Sequence, residues 1–479
     1  MSVRPFMIAN EWVEGSAGSF DSINPADGTV SARIASASAQ DVDRAVGAAR
    51  AALGDPAWAA LKNHERARFL ARMADLVAAN RDHLARTQMA DNGKTLKECM
   101  SQAASAADVF RYYAAVCETF ESEVNTQRGP SMTMTVYEPV GVVAAITPWN
   151  SPLTIEAQKL APILAAGNTV VLKPSEVTPQ VALEYARLAR EAGFPPGVLN
   201  VVTGAGEVGR ALVDHPGVDL VSFTGGTAAG RAIAEAAGRR LVPVILELGG
   251  KSPDIVFADA DLAAAAKGVA AGIFSSGGQS CIAGSRIFVE RAIFDDMLDR
   301  LRVEAESYRL GLPEDDAARI GPMASFRHRD HVARYVEMGV SEGGCVVTGG
   351  APATGGAFDQ GAYYPATIVT DLTNRARICQ EEIFGPVAVA LPFDSEADLL
   401  AQANDTDFGL AAGIWTGDYR KAWRVARALR AGTVWINTYK ESSISVPFGG
   451  FKQSGIGREK GLQGMRAYME PKGLYWNLA

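Results

Sequence analysis

The sequence predicts an α/β chain built from two doubly wound α/β domains plus a small additional β element, and three patterns carry that prediction. Short apolar runs alternate with amphipathic stretches over 141–247, the pattern of βα units feeding a buried parallel sheet. A second alternation follows over 286–437. Two apolar strand-like stretches, 131–136 and the C-terminal Leu474-Tyr475-Trp476, belong to neither.

In the first alternation the predicted strands are 142–147, 169–173, 199–202, 220–224 and 242–247. The helices between them have readable ends. Pro152 stands at a first turn and Gly167 past a last one, while Thr178-Pro179 opens a helix that Gly193 closes. In the second, strands are expected at 286–290, 386–391, 411–415 and 433–437, with helices such as 294–306 and 419–429 between them. The Gly-rich stretch 349–361 reads as an exposed connection. At 131–136, Met132, Met134 and Val136 alternate with Thr133 and Thr135, so this strand and the apolar C-terminus are expected to need partners.

At 479 residues, 48% of them hydrophobic, the chain can bury a large core in two or three domains. A formal charge of −8 gives no basic surplus to track a phosphate backbone, so nucleic acid is not an expected partner. The N-terminus has no apolar stretch before a small-residue cleavage site, and Lys267 interrupts the longest Ala/Val-rich run, so neither a secretory signal nor a membrane span is expected. The expected location is the cytoplasm. Five cysteines without CxxC spacing point to reduced thiols, with Cys99, Cys117, Cys345 and Cys379 read as inert packing residues. No metal site is expected. His328 and His331 flank Arg329-Asp330 in a polar stretch and read as solvated surface.

Gly204-Ala205-Gly206-Glu207-Val208-Gly209 fits GxGxxG between a strand and a helix, yet the tip of the next strand, Ser222-Phe223-Thr224-Gly225, lacks the acid that holds ribose hydroxyls in a dinucleotide site. The turn Gly225-Gly226-Thr227-Ala228-Ala229-Gly230 is an alternative, and Lys173-Pro174-Ser175-Glu176 puts a cation and an acid at another strand tip. Together these two turns can hold a dinucleotide; equally, each glycine can do no more than permit a tight turn.

Cys281 lies in Gly277-Gly278-Gln279-Ser280-Cys281-Ile282-Ala283-Gly284, where flanking glycines allow close backbone approach and suit a nucleophile, although a packing thiol fits too. Glu247 ends an apolar strand before Leu248-Gly249-Gly250-Lys251, the place where α/β sites form, and reads either as a base of raised pKa or as an acid paired with Lys251. Asn150, in Thr147-Pro148-Trp149-Asn150-Ser151-Pro152, is either a helix cap or an amide aimed at an oxyanion.

Thr147-Pro148-Trp149-Asn150, Lys173-Pro174-Ser175-Glu176, Phe223-Thr224-Gly225-Gly226, Glu247-Leu248-Gly249-Gly250-Lys251-Ser252-Pro253, Gly278-Gln279-Ser280-Cys281, Glu381-Glu382-Ile383-Phe384-Gly385-Pro386 and Pro447-Phe448-Gly449-Gly450 occur in the order found in the aldehyde dehydrogenase superfamily, which the chain resembles over nearly its whole length. The resemblance implies an NAD-binding domain (1–121 and 141–249), a catalytic domain (250–449) and oligomerisation segments (122–140 and 450–479), assembled as a homodimer or homotetramer. It implies that Cys281 is the nucleophile, Glu247 the general base, and Asn150 an oxyanion donor together with the Cys281 backbone N–H. Glu459 matches a position that in some members relays a proton, and otherwise reads as a solvated helix charge.

Lys173, placed with the catalytic set as well, would hold the adenosine ribose with Glu176, and Glu382 with Phe384 would place the nicotinamide. Ile146, Thr147, Pro148 and Trp149, Pro174 and Ser175, Gly206, the turn Phe223, Thr224, Gly225, Gly226 and Gly230, and Leu248 with Gly249 complete the implied cofactor site. Many members carry Ser at the Gly226 position, so the backbone must do more of the pyrophosphate contact here. Glu176 would repel a 2′-phosphate, which favours NAD over NADP. The implied reaction oxidises an aldehyde to the acid through a Cys281 thiohemiacetal and thioester, which water activated by Glu247 hydrolyses. A CoA-acylating relative, or a non-catalytic protein on the same fold, are the alternatives; retention of Glu247 and of Cys281 with Asn150 speaks against them.

Overall fold

Val142–Ile146 is apolar throughout and buried at every position, and such a strand is stable only in the middle of a sheet covered on both faces. In the computed structural model, which describes residues 1–126 and 129–478, it is a central strand of an eight-stranded sheet. Gln127 and Arg128 of the expected 122–140 segment, and Ala479 of 450–479, lie outside the described residues.

The sheet order is Gly455–Ile456, Val244–Glu247, Leu220–Thr224, Val142–Ile146, Thr169–Lys173, Leu199–Val201, Phe6–Ile8, Glu11–Val13. The five central strands are parallel, and antiparallel strands close both edges. The chain steps outward from Val142–Ile146 through Thr169–Lys173 to Leu199–Val201, then returns to lay Leu220–Thr224 on the other side. That reversal opens a crevice between the carboxyl ends of Val142–Ile146 and Leu220–Thr224, where ligands bind in doubly wound sheets.

A second sheet runs Cys345–Thr348, Thr367–Thr370, Val387–Phe393, Arg286–Glu290, Pro253–Val256, Ala411–Trp415, Thr433–Ile436 and is parallel except at the Cys345–Thr348 edge. Pro253–Val256, Thr367–Thr370 and Cys345–Thr348 were not among the strands expected from sequence. Pro253-Asp254 masked the first, because proline and a charged residue at a strand start look like a turn. Its Asp254 is tolerated inside because Trp415 Nε1 donates to it at 2.8 Å and burial pushes its carboxyl up to about 7. Cys345 is exposed on its edge strand, which corrects the reading of this thiol as a packing residue; Cys99, Cys117 and Cys379 are buried.

The stretch expected at 131–136 is the longer strand Ser131–Pro139, paired antiparallel with Met469–Asn477 and Glu123–Asn125. Its C-terminal partner leaves Tyr475 81% and Trp476 61% exposed. Among the described residues no helix is long and apolar enough to cross a membrane.

Candidate active site

Leu248–Ser252 carries the chain from the first sheet into the second, and the site forms around this crossing. Glu247 ends the strand on one side. On the other, helix Leu262–Phe274 is followed by a turn that presents Cys281 before strand Arg286–Glu290. The fit of these segments demands glycine at two points. A Cβ on Gly250 would stand 2.2 Å from the Cys281 carbonyl, and one on Gly278, at φ +66°, would stand 2.0 Å from the Gly385 carbonyl.

Cys281, Glu247, Asn150, Trp149, Glu382 and Phe384 line one cavity of about 240 Å³. The Cys281 thiol is pushed up to about 12, first by burial, then by Glu382 and Glu247. Its own backbone N–H and Lys460 act in the opposite direction, favouring the thiolate. The buried thiols Cys99 and Cys379 are raised as well, to about 12 and about 11, so what distinguishes Cys281 is its place in the cavity.

Glu247 is buried, and among the described residues neither of its carboxyl oxygens is hydrogen-bonded and Lys251 Nζ is likewise unpartnered, so the strand-end ion pair is not formed. Burial, then the nearby Glu459, push the Glu247 carboxyl well above the usual range. A buried carboxyl with two free oxygens is poised to hydrogen-bond something that is not protein, such as a water molecule.

Glu459 is buried, which corrects the solvated-charge alternative: its Oε1 accepts from Lys159 Nζ at 2.6 Å. Lys159 Nζ also donates to Ser222 Oγ at 3.0 Å, and Ser222 meets the Tyr468 hydroxyl at 2.9 Å. Lys159 was missed in the sequence; the signal was a charge in helix Pro152–Ala165, whose residues are nearly all buried.

Asn150 does not cap that helix, whose N-cap Ser151 makes no side-chain cap bond. Its Nδ2 donates to the Gln279 carbonyl at 3.0 Å, two residues before the thiol, which fixes the amide and leaves its second hydrogen for a cavity ligand. Gln279 is itself held, its Oε1 accepting from the Ala324 N–H at 2.8 Å. If that second hydrogen meets a developing oxyanion, Asn150→Ala lowers kcat about 10²–10³-fold. Steady-state rates measured at saturating substrate check this; an unchanged kcat would leave Asn150 a structural residue.

His328 and His331 are not the solvated surface expected. The His328 ring lies 4.9 Å from the Trp149 ring, and its Nε2 donates to the Phe384 carbonyl at 2.7 Å. Burial pushes it down to about 4 and keeps it neutral, while His331 lines the thiol cavity. The contact holds Phe384 at φ +60°, its ring 5.2 Å from Trp149. Glu382 Oε1 accepts from the Gly250 N–H at 2.9 Å, and burial raises its carboxyl to about 7.

Sharing Pro148, Trp149, Thr224, Gly225 and Gly226 with this cavity is a groove of about 640 Å³ at the carboxyl ends of the first sheet. It brings together Ile146, Thr147, Lys173, Ser175, Glu176, Gly206 and Phe223. Two expected positions face elsewhere: a Cβ on Gly230 would meet the Leu248 side chain at 2.4 Å, so this glycine lets helix and crossing pack, and Pro174 accepts from Lys173 Nζ at 2.9 Å. Leu248 and Gly249 line the thiol cavity. Lys173 is buried in the groove, 3.6 Å from Glu176, rather than beside the thiol.

The groove fits a dinucleotide. Helix Thr227–Gly238 opens into it at Gly226 with no side-chain cap, leaving its first-turn N–H groups for an anion. Exposed Glu176 puts a carboxylate acceptor in this groove, a feature that the strand tip after Gly204-Ala205-Gly206 lacks.

The model of the family described as "Aldehyde dehydrogenase family" matches residues 12–474. Among solved structures, the chain is similar to an indole-3-acetaldehyde dehydrogenase from P. syringae in complex with NAD+ and IAA, at 41% identity and TM-score 0.97, covering 99% of this chain and 96% of that one. It is similar to the aldehyde dehydrogenase KauB from Pseudomonas aeruginosa at 40% identity and TM-score 0.97, covering 100% and 97%. A betaine aldehyde dehydrogenase from Staphylococcus aureus in complex with NAD+ matches at 37% identity and TM-score 0.97, covering 99% and 96%.

Proposed function

Because this chain belongs to the aldehyde dehydrogenase family, we propose that it oxidises an aldehyde to the free carboxylic acid with NAD, using Cys281 as nucleophile and Glu247 as the base that activates water. The observation that carries the hydrolytic reading is the buried, unpartnered Glu247 carboxyl in the same cavity as the thiol.

The groove residues Lys173 and Glu176 would hold the adenosine ribose, the N-terminus of Thr227–Gly238 the pyrophosphate, and Glu382 with Phe384 the nicotinamide end. When bound, NAD+ supplies a positively charged ring that favours the Cys281 thiolate and an acceptor for the hydride of the aldehyde carbon. Thiolate attack puts negative charge on the substrate oxygen, which the Asn150 amide and the Cys281 N–H stabilise. The resulting thioester is cleaved by water whose proton passes to Glu247, and the Glu459–Lys159 pair behind it offers the proton a route onward. Glu176 disfavours a 2′-phosphate and with it NADP.

The sheet formed by Ser131–Pro139 and Met469–Asn477, with its exposed Tyr475 and Trp476, is the surface we assign to homodimer or homotetramer formation. The division into 1–121 with 141–249, 250–449, and 122–140 with 450–479 follows the same reading. Purified enzyme with NAD and an aldehyde is expected to release NADH and free acid, and added CoA neither speeds turnover nor appears as acyl-CoA. Acyl-CoA as the product would overturn the hydrolytic assignment.

A further inference from the structure

The loop after strand Thr433–Ile436 crosses the Cys281 turn and places a lysine against it. Tyr439 anchors the loop, its hydroxyl donating to the Ile282 carbonyl at 3.0 Å. The next residue, Lys440, brings its ammonium 3.5 Å from the Ser275 carbonyl. Its side chain is half-buried.

A second lysine comes from the segment beside Glu247. Lys460 Nζ lies 4.7 Å over the Phe448 ring and 3.4 Å from Ser442 Oγ. The Gly461 N–H donates to the Ile444 carbonyl at 2.7 Å, so the two lysine-bearing loops are joined. Both lysines stand at φ +60°, a conformation an L-residue holds only when its surroundings impose it, and such positions cluster at ligand sites.

Lys159 and Lys421 have carboxylate partners, whereas among the described residues Lys440 and Lys460 are in no ion pair. Lys440 faces Lys94, Glu98, Cys281 and Asp254, and Lys460 faces Glu459, Cys281 and Glu247. Three carboxyls in that set are engaged by other donors: Glu98 accepts from the Ser276 N–H at 2.7 Å, Asp254 from Trp415, and Glu459 from Lys159, while burial disfavours charge on Glu247. Unpaired ammonium groups in a desolvated site are stabilised by an anion brought from outside.

We propose that the aldehyde substrate carries a carboxylate at its far end, received by Lys440 with Lys460 alongside, while its carbonyl carbon meets Cys281. This rests on the aldehyde oxidation proposed above. Charge-assisted hydrogen bonds of this kind correspond to roughly 10–100-fold in affinity.

The test compares kcat/KM for 4-oxobutanoate, butanal and the cationic trimethylammonioacetaldehyde at fixed ionic strength, with NADH absorbance as the readout. The wild type is expected to prefer 4-oxobutanoate over butanal by about 30-fold, with the cationic aldehyde poorest. Lys440→Met lowers the 4-oxobutanoate-to-butanal ratio about ten-fold through KM, and Lys440→Arg restores most of it. Because burial holds Lys440 down to about 8, the same ratio falls as pH is raised through that value. A wild-type ratio at or below one, or the same ratio in Lys440→Met, would overturn the inference while leaving aldehyde oxidation standing. NADH from none of the three aldehydes would overturn both.

Discussion

Cys281→Ala is expected to abolish NADH formation, with kcat falling about 10⁴-fold or more, because without sulfur no thiohemiacetal forms to give up its hydride. No other thiol can substitute. Cys99 and Cys117 are buried and engaged, Cys99 with Gln88 Nε2 at 3.3 Å and Cys117 with the Asn63 and Ala165 carbonyls at 3.3 Å. Cys379 is buried beneath the second sheet and Cys345 is exposed on its edge. The variant should fold, since Ala removes only one half-buried sulfur from a turn held by backbone contacts at Gly250 and Gly278. Turnover at wild-type rate, with the unfolding midpoint preserved, would sink the nucleophile assignment.

Glu247→Gln should separate the two halves of the reaction. One NADH per site is released in a burst, and steady-state turnover then drops about 10²–10³-fold because no base takes the proton of the attacking water. Rapid mixing followed by steady-state absorbance checks this; unchanged steady-state turnover would remove Glu247 as the base. In the wild type, a carboxyl held above its ordinary range is protonated at acid pH, so deacylation gains its base only as pH rises, and the variant loses that limb.

The raised Glu247 carboxyl also has a stability consequence, of opposite sign. A carboxyl whose folded pKa is raised contributes stability that is present below its unfolded value of 4.5 and is lost as pH climbs through the folded value. A tenfold difference in proton affinity between the folded and unfolded chain corresponds to about 1.4 kcal/mol. Glutamine carries no charge to desolvate, so near pH 8 the slow variant is expected to unfold at or above the wild-type midpoint. Calorimetry across pH measures it; a lower midpoint for the variant at high pH would contradict an unpaired buried carboxylate.

Periodicity and terminal signals made the first sheet legible because each of its central strands is a short apolar run bounded by turn residues. Helix Tyr419–Ala428 was expected at 419–429 and Phe294–Ser307 at 294–306, because their amphipathic spacing is local. Pro253–Val256 escaped because its Pro and Asp contradict strand propensity, and burial with the Trp415 hydrogen bond overrides that preference.

The residues of the candidate site were legible by type and motif. Their states were not. Whether Glu247 pairs with Lys251, whether Asn150 caps a helix, and whether Glu459 meets solvent are choices between partners more than 100 residues apart in some cases, as with Asn150 and Gln279 or Glu459 and Lys159.

By itself, then, the sequence determined the α/β class, the family resemblance and the candidate thiol, because apolar period, turn residues and ordered motifs are properties of short segments. Tertiary structure alone decided that, among the described residues, Glu247 is unpaired, that His328 meets the Phe384 carbonyl, and that Lys440 lies against the thiol turn outside any ion pair. The physical reason is that pKa, hydrogen-bond satisfaction and the cost of a buried charge depend on what other segments bring within a few ångströms, and that is set only when the two sheets close around the crossing at Leu248–Ser252.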